Sequence, residues 1–414
     1  MKKLVLAILL LSSFFAEAQK ITAINFEGIK KTKQAYLSQF LSIQNGDELD
    51  SVKLEETKQR LVNLEMFADV AYQVEQTDGD VTITFQMMEL FTLLPIFNFG
   101  GIEENFWFQI GATEVNLGGK GNKITTYYQY YDRSSFAVHL TLDRIKQSQW
   151  GLNFNFIKWS TLEPLFFGGN AVEYEYDNYT FGIDAIRHYN FRDRIEFGIA
   201  FFTEDYRKFT PGAFEGAPEN VSKHKMLGKI RLIQNRVDYH FFYLDGWHNQ
   251  LNLQTVQSLN DDPAFYIVFN DLKRFIIIGR YGNFASRLRL GLSSNEESPF
   301  APFVLDSYVN IRGVGNRVDR GTGVIILNAE YRYALVDQSK LALQGVIFSD
   351  SGSWRNPGGD FADFADSENF QLFAGGGLRL IHKKIYNAIF RVDYGINLQD
   401  PNISGFVLGI GQYF

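Results

Sequence analysis

The chain has 414 residues with a formal net charge of −7, and it carries 39 Phe, 21 Tyr and 36 Gly but no Cys. The missing cysteine excludes a disulfide framework, a thiolate metal site and a cysteine nucleophile, and mild acidity without a basic stripe gives no basis for nucleic-acid binding. An aromatic, glycine-rich chain whose average is still slightly polar suits strands with one face towards lipid and the other towards water, the plainer alternative being a soluble all-β protein.

Lys2 and Lys3 precede an apolar run from Leu4 to Phe15 and then Ala16-Glu17-Ala18, a small-x-small cleavage site. This predicts a secretory signal peptide over residues 1–18 and a mature chain from Gln19. The run is shorter than the about 20 residues that a membrane helix needs. Gln19 rather than cysteine follows the cut, so no lipid anchor is expected.

Residues 19–90 mix strand and helix periods and are read as one small α+β domain. Ile21-Thr22-Ala23-Ile24-Asn25-Phe26 alternates and stops at Gly28, which predicts a strand. A helix is expected from about Lys33 to Leu41, with Tyr36, Leu37 and Phe40 on one face. A second fits Val52 to Met66, with Leu54, Leu61 and Leu64 as its apolar stripe and Asp50 or Ser51 as cap. Val70 to Val74 and Val81 to Phe85 complete the unit as two strands around Thr77-Asp78-Gly79-Asp80, whose Asp-Gly pair favours a hairpin turn. This order, with Ile24-Asn25-Phe26-Glu27-Gly28, Leu64-Glu65-Met66-Phe67-Ala68-Asp69-Val70 and the closing Glu89, resembles a POTRA domain. The resemblance implies a periplasmic domain that binds unfolded or extended client proteins by strand addition at a sheet edge.

Residues 91–414 are assigned to a transmembrane β-barrel. From about Asn105 onward, short alternating segments are separated by Gly, Asn and Asp turns. Phe136, Val138, Leu140 and Leu142 alternate with Ala137, His139, Thr141 and Asp143, and Trp150, Leu152, Phe154 and Phe156 with Gly151, Asn153 and Asn155. Counting such segments gives about 16 antiparallel strands, an even number that closes without an exposed edge. In the last, Phe406, Leu408, Ile410 and Phe414 fall on one face. A terminal aromatic in a lipid-facing register resembles the β-signal of outer-membrane proteins.

A long loop, roughly Glu296 to Gly321, carries Ile311-Arg312-Gly313-Val314 before the last five strands and resembles the Val-Arg-Gly-aromatic motif of the BamA/TamA superfamily. Val314 stands where an aromatic is usual. Further matches are Asn116-Leu117-Gly118-Gly119-Lys120-Gly121, Glu330-Tyr331-Arg332, Phe348-Ser349-Asp350-Ser351-Gly352, Gly375-Gly376-Gly377-Leu378-Arg379 and Gly409-Ile410-Gly411-Gln412-Tyr413-Phe414. The resemblance implies an outer-membrane insertase or translocase whose barrel opens between its first and last strands. Its implied partners are the bilayer, client proteins and periplasmic accessory proteins, and no nucleotide or metal is needed. With one POTRA-like domain, where the essential assembly factor has several, it implies a paralogue whose client is a protein, a lipid or a polymer.

Strand parity assigns the lumen independently. If Ile325, Leu327, Tyr331, Tyr333 and Leu335 face lipid, then Asn328, Glu330 and Arg332 face inward, and the same parity turns Asp350, Arg379, Arg391 and Asp393 inward. An Arg facing lipid near the midplane costs about 2–4 kcal/mol, so the inward choice is also the cheaper one. In the superfamily the loop arginine folds back into the barrel, which makes Arg312 the candidate plug, Asp350 its first partner and Glu330 its second. No His-Glu-x-x-His or Gly-x-Ser-x-Gly occurs, and no catalytic site is expected. A passive pore and a membrane-embedded hydrolase are the other function classes.

Overall fold

The computed structural model describes residues 20–77, 80–102, 105–167, 170–209, 216–259, 263–295, 300–306, 309–315, 319–385 and 388–414. The expected signal peptide, the Asp78-Gly79 turn and parts of the 296–321 loop lie outside the described residues. The division between two compact units falls between Glu89 and Leu90.

In the first unit, β1 (Lys20–Glu27) is followed by α1 (Gln34–Leu37), which tightens into a 3-10 turn (Ser38–Phe40), and by α2 (Ser51–Val62). β2 (Phe67–Thr77) and β3 (Asp80–Glu89) complete a sheet of order β1-β3-β2, in which β1 and β3 run parallel. The first helix gives way to the 3-10 turn after Leu37, and the second ends earlier than the periodicity suggests, because Leu64 and Glu65 already belong to a turn in which Glu65 takes a φ of 58°. Asp50 is the cap of α2, accepting from the N–H groups of Val52 at 2.9 Å and Lys53 at 3.3 Å. Ile21, Leu37, Ile43, Leu61, Val81, Ile83 and Phe85 are fully buried and form the core.

The motif glycine and glutamate of this unit have clear physical roles. Gly28 has a φ of 78°, and a Cβ there would lie 2.0 Å from the Met87 carbonyl oxygen. The Glu89 carboxylate accepts from the N–H groups of Lys30, Lys31 and Thr32 at 2.5, 2.9 and 2.9 Å and from the Thr32 hydroxyl, tying the loop after β1 to the end of β3.

The second unit is a closed antiparallel barrel of sixteen strands. They are β4 (Leu93–Ile102), β5 (Asn105–Leu117), β6 (Asn122–Tyr131), β7 (Arg133–Leu142), β8 (Trp150–Phe167), β9 (Asn170–His188), β10 (Asp193–Lys208), β11 (Asn220–Asn235), and, after a short β12 (Asp238–His240), β13 (Tyr243–Ser258), β14 (Phe265–Ile278) and β15 (Gly282–Ser293). Two residue pairs of ribbon in the long loop, β16 (Phe303–Val304) and β17 (Arg320–Gly321), precede β18 (Gly323–Asp337), β19 (Leu341–Arg355), β20 (Phe370–His382), β21 (Ile389–Asn397) and β22 (Ser404–Ile410). The barrel starts one strand earlier than alternation from Asn105 indicates. Leu93-Leu94-Pro95-Ile96 reads as an unbroken apolar run, and Pro95, which lacks an N–H, marks an edge position.

Alternation sorts the wall into two faces. Phe136, Val138, Phe156, Phe181, Phe197, Phe201, Leu327, Leu378 and Phe390 are exposed on the outside, as a lipid-facing band requires. Asn155, Asp184, Glu196, Asn328, Glu330, Arg332 and Arg379, at the alternate positions, are buried on the inside. The hairpin between β5 and β6 uses the Asn116–Gly121 motif: Gly118, Gly119 and Gly121 all have positive φ, and Asn116 Oδ1 accepts from the Gly121 N–H at 3.0 Å.

Candidate functional site

The loop between β15 and β18 folds into the barrel because its apolar residues find a dry wall there. Phe303, Leu305, Ile311 and Val314 pack with Val256, Ile267, Val324, Ile326, Trp354 and Phe373. Val314, standing where the superfamily motif has an aromatic, is thus a core residue of this cluster. The tip is held at Gly313, whose φ is 98° and whose added Cβ would lie 2.7 Å from the Gly395 carbonyl oxygen on β21. A matching Cβ on Gly395 would meet the Arg312 carbonyl oxygen at 2.3 Å, so loop and wall approach through two glycines.

Arg312, fully buried, is placed among the inward-facing residues of β18 to β21. Its Nε and Nη2 donate to Asp350 Oδ2 and Oδ1 at 2.8 and 2.9 Å, a two-pronged pair, and its own backbone N–H donates to Asp350 Oδ2 at 3.0 Å. Nη1 donates to Glu330 Oε2 at 2.5 Å and lies 3.9 Å from Asp393 Oδ2. The guanidinium is held between two rings, 3.6 Å from the Phe348 centroid and 4.5 Å from that of Tyr413.

Neighbours complete a neutral cluster. Arg332 Nε donates to Glu330 Oε1, and Arg379 makes a two-pronged pair with Asp393 at 2.7 and 3.0 Å. Asn328 Nδ2 donates to Asp350 Oδ1 at 2.9 Å and to the loop carbonyl of Asn310 at 2.7 Å. Three guanidiniums, Arg312, Arg332 and Arg379, therefore face three carboxylates, Glu330, Asp350 and Asp393, all without solvent exposure beyond 1%. Charges removed from water this completely are tolerable only because each is paired.

The last four residues differ from the sequence expectation. Phe406 and Leu408 lie on the outer register of β22, but the strand ends at Ile410, and Phe414 does not continue that face. Gly411 takes a φ of 94°, which turns the chain inward. Arg391 Nη1 donates to the Gly411 and Gln412 carbonyls at 3.3 and 2.9 Å, and Arg332 Nη2 donates to the Phe414 carbonyl at 3.3 Å. Phe414 packs against the buried cluster of Val237, Phe275 and Ala285. Tyr413, Phe348 and Asn328 are parts of the cluster that the motif alone does not reveal; parity places Phe348 and Asn328 inward, whereas no periodic signal marks the turn at Gly411.

The junction between first and last strands is short among the described residues. Phe406, Val407 and Leu408 pair with Gly101, Gly100 and Phe99, three residue pairs, against seven between β21 and β22 and ten between β4 and β5. Below it, the Ile410 N–H donates to the side chain of Asn98 at 3.3 Å instead of to a backbone carbonyl of β4. Asn98 Nδ2 in turn donates to Gln109, and Gln109 to Gln129, at 3.0 and 3.1 Å. A cavity of about 240 Å³, lined by Leu94, Pro95, Ile96, Asn98 and Ile410 among others, occupies the place where pairing stops. Among the described residues, no strand covers β4 from Leu93 to Asn98 on that side.

Comparison with known proteins agrees with this architecture. The POTRA family, described as the surface antigen variable number repeat, matches residues 19–89. BamA from Haemophilus ducreyi lacking POTRA domains 1–3 superposes with a TM-score of 0.56 at 14% identity, over 94% of this chain and 84% of that one. CdiB from Acinetobacter baumannii gives 0.58 at 12% identity over 95% and 74% of the two chains, and CdiB from Escherichia coli 0.59 at 10% over 95% and 76%. This chain has one POTRA domain and the barrel fold of BamA and CdiB. No curated protein sequence matches it. The POTRA domain spans the first unit, and its β2 has an uncovered outer edge among the described residues, whereas β1 is partly covered where the Ile21 N–H donates to the Asp47 carbonyl at 2.9 Å. No metal-binding group of His, Cys, Asp and Glu occurs among the described residues.

Proposed function

We propose that this outer-membrane barrel assists the insertion or translocation of client proteins. The short junction between β22 and β4 carries the reading: three residue pairs separate a closed wall from one whose edge strands are free. A strand edge in lipid has unsatisfied N–H and C=O groups, and an incoming strand that pairs with it loses that cost. The free side of β4 from Leu93 to Asn98, beside the cavity at Asn98 and Ile410, is where a client strand adds. The uncovered edge of β2 in the POTRA domain is the first capture point in the periplasm, and Arg312 anchors the lumen loop while the seam moves. A passive pore is less favoured, because the packed loop around Ile311 occupies the lumen and an open channel has no use for a buried arginine clasp.

The test is site-specific photo-crosslinking in cells from Phe97 on β4 and Ile410 on β22, followed by mass spectrometry of what is trapped. Adducts with extended or unfolded outer-membrane polypeptides are expected from both positions. Adducts confined to lipid or polymer, with no polypeptide, contradict the proposal and favour a non-protein client.

A further inference from the structure

Away from the Arg312 cluster and the seam, the lumen wall carries bases that neither uses. Inward-facing positions bring His248 of β13 opposite Lys273 of β14, and Lys273 opposite Arg287 of β15. Like charges directly opposite in an antiparallel pair destabilise it, so such a row needs an offsetting anion. Arg287 has one: its Nε and Nη2 donate to Asp271 at 2.6 and 3.1 Å, and its Nη1 donates to the Val309 carbonyl at 2.6 Å. Asp271 is shared, however, because Arg289 Nε also donates to it at 3.1 Å. One carboxylate thus serves two guanidiniums.

The nearest loop carboxylate, Asp306, accepts from the Val309 N–H and from Asn310 Nδ2, both at 3.1 Å, and forms no ion pair with these arginines among the described residues. Lys273 has no ion pair among the described residues. His248 Nδ1 is buried without a hydrogen-bond partner there. Both side chains are half-buried and stand on the lumen side of strands whose alternate residues, Leu272, Ile276 and Leu253, are exposed on the outside. The row therefore combines excess positive charge, an unpaired ammonium and an unused imidazole nitrogen within one neighbourhood of the wall.

We propose that His248, Lys273 and Arg287 form a binding site for a phosphate group inside the barrel. Lys273 supplies the ammonium charge and His248 an N–H donor. Arg287, fixed by Asp271, adds to the positive field without needing to move. Phosphate suits this row better than a carboxylate, since its larger charge and three acceptor oxygens engage donors from adjacent strands together. The group comes from a free phosphoryl compound or from a lipid headgroup, and the experiment separates the two.

The full chain is purified in non-ionic detergent, and the rate of acetylation of Lys273 is followed by mass spectrometry with and without inorganic pyrophosphate. It is followed again in nanodiscs of phosphatidylcholine with and without phosphatidylglycerol. Because only the free site reacts, pyrophosphate at ten times its Kd is expected to slow Lys273 modification about tenfold. Lys53, exposed on α2, is expected to react at an unchanged rate. Protection by pyrophosphate assigns a free phosphoryl ligand; protection by phosphatidylglycerol alone assigns a headgroup. Lys273→Gln is expected to abolish pyrophosphate binding in calorimetry and His248→Ala to weaken it, with the gel shift of the unboiled barrel checking that each variant is folded. No protection in either arm overturns the proposal. So does equal protection by sodium chloride at matched ionic strength, or undiminished pyrophosphate binding by folded Lys273→Gln.

Discussion

Arg312 is the proposed anchor of the lumen loop: its guanidinium bridges Asp350 and Glu330 and is stacked on Phe348 and Tyr413 in a site closed to solvent. Removing one member of such a cluster leaves its partners charged and unpaired, so Arg312→Ala is expected to cost about 3–5 kcal/mol in barrel unfolding. Arg312→Lys recovers only part, because an ammonium cannot make the two-pronged contact with Asp350 or stack between rings. A double-mutant cycle with Asp350→Ala should show strong coupling, and additive losses would dissolve the pairing as an energetic unit. Glu89 gives a second prediction at this scale. Partial burial raises its carboxyl pKa, but the Thr32 hydroxyl and the N–H groups of Lys31, Lys30 and Thr32 lower it further, and the net value falls below the usual carboxylate range. A carboxyl with a depressed folded pKa contributes stability that is complete above its unfolded pKa and is lost as pH falls through the folded one. The melting temperature of the POTRA domain should therefore decline on acidification below the ordinary carboxylate range, and Glu89→Gln should flatten that decline. An unchanged profile in Glu89→Gln argues that other acids set it.

Elements were legible where one period dominates and obscure where a local backbone feature overrides it. The lumen-facing set on β18 to β21 follows from alternation alone, because a one-residue slip would turn Arg332 or Arg379 into lipid. β4 is harder to see, since Leu93-Leu94-Pro95-Ile96 is an unbroken apolar run with no polar residue at alternate positions. The inward turn of the last residues is invisible to parity because it rests on a single positive φ at Gly411 and on carbonyl contacts from Arg391 and Arg332. The row of His248, Lys273 and Arg287 could have been found from sequence only with the register of three strands in hand, which alternation does not supply. The POTRA unit has its own core of Ile21, Leu37, Leu61, Val81 and Phe85 and no lipid-facing strand. Residues 20–90 alone are expected to form a soluble monomer with cooperative thermal unfolding, a marginal one because a domain near 60 residues buries only about 60% of its unfolded surface. An insoluble or non-cooperative fragment contradicts an independent unit.

At the scale of the whole molecule, the barrel is closed, its pairing between β22 and β4 is short among the described residues, and the tail and the loop are both gathered by buried arginines of the wall. Arg332 holds the Glu330 carboxylate that Arg312 shares, and it also holds the Phe414 carbonyl, so the loop and the C-terminal residue belong to one hydrogen-bonded network. The proposed function requires the seam between β4 and β22 to open during work. The most direct test uses a chain that has no native cysteine. Phe99→Cys and Leu408→Cys, introduced at opposed positions of the short junction, allow it to be closed by oxidation and freed by reduction. A control pair, Leu288→Cys and Leu327→Cys, locks the long junction between β15 and β18. Photo-crosslinking of polypeptide from Phe97 is then measured in cells for each form. Oxidation of the seam pair is expected to abolish those adducts, reduction to restore them, and the control lock to leave them unchanged. Undiminished adducts with the seam oxidised would contradict the proposed function.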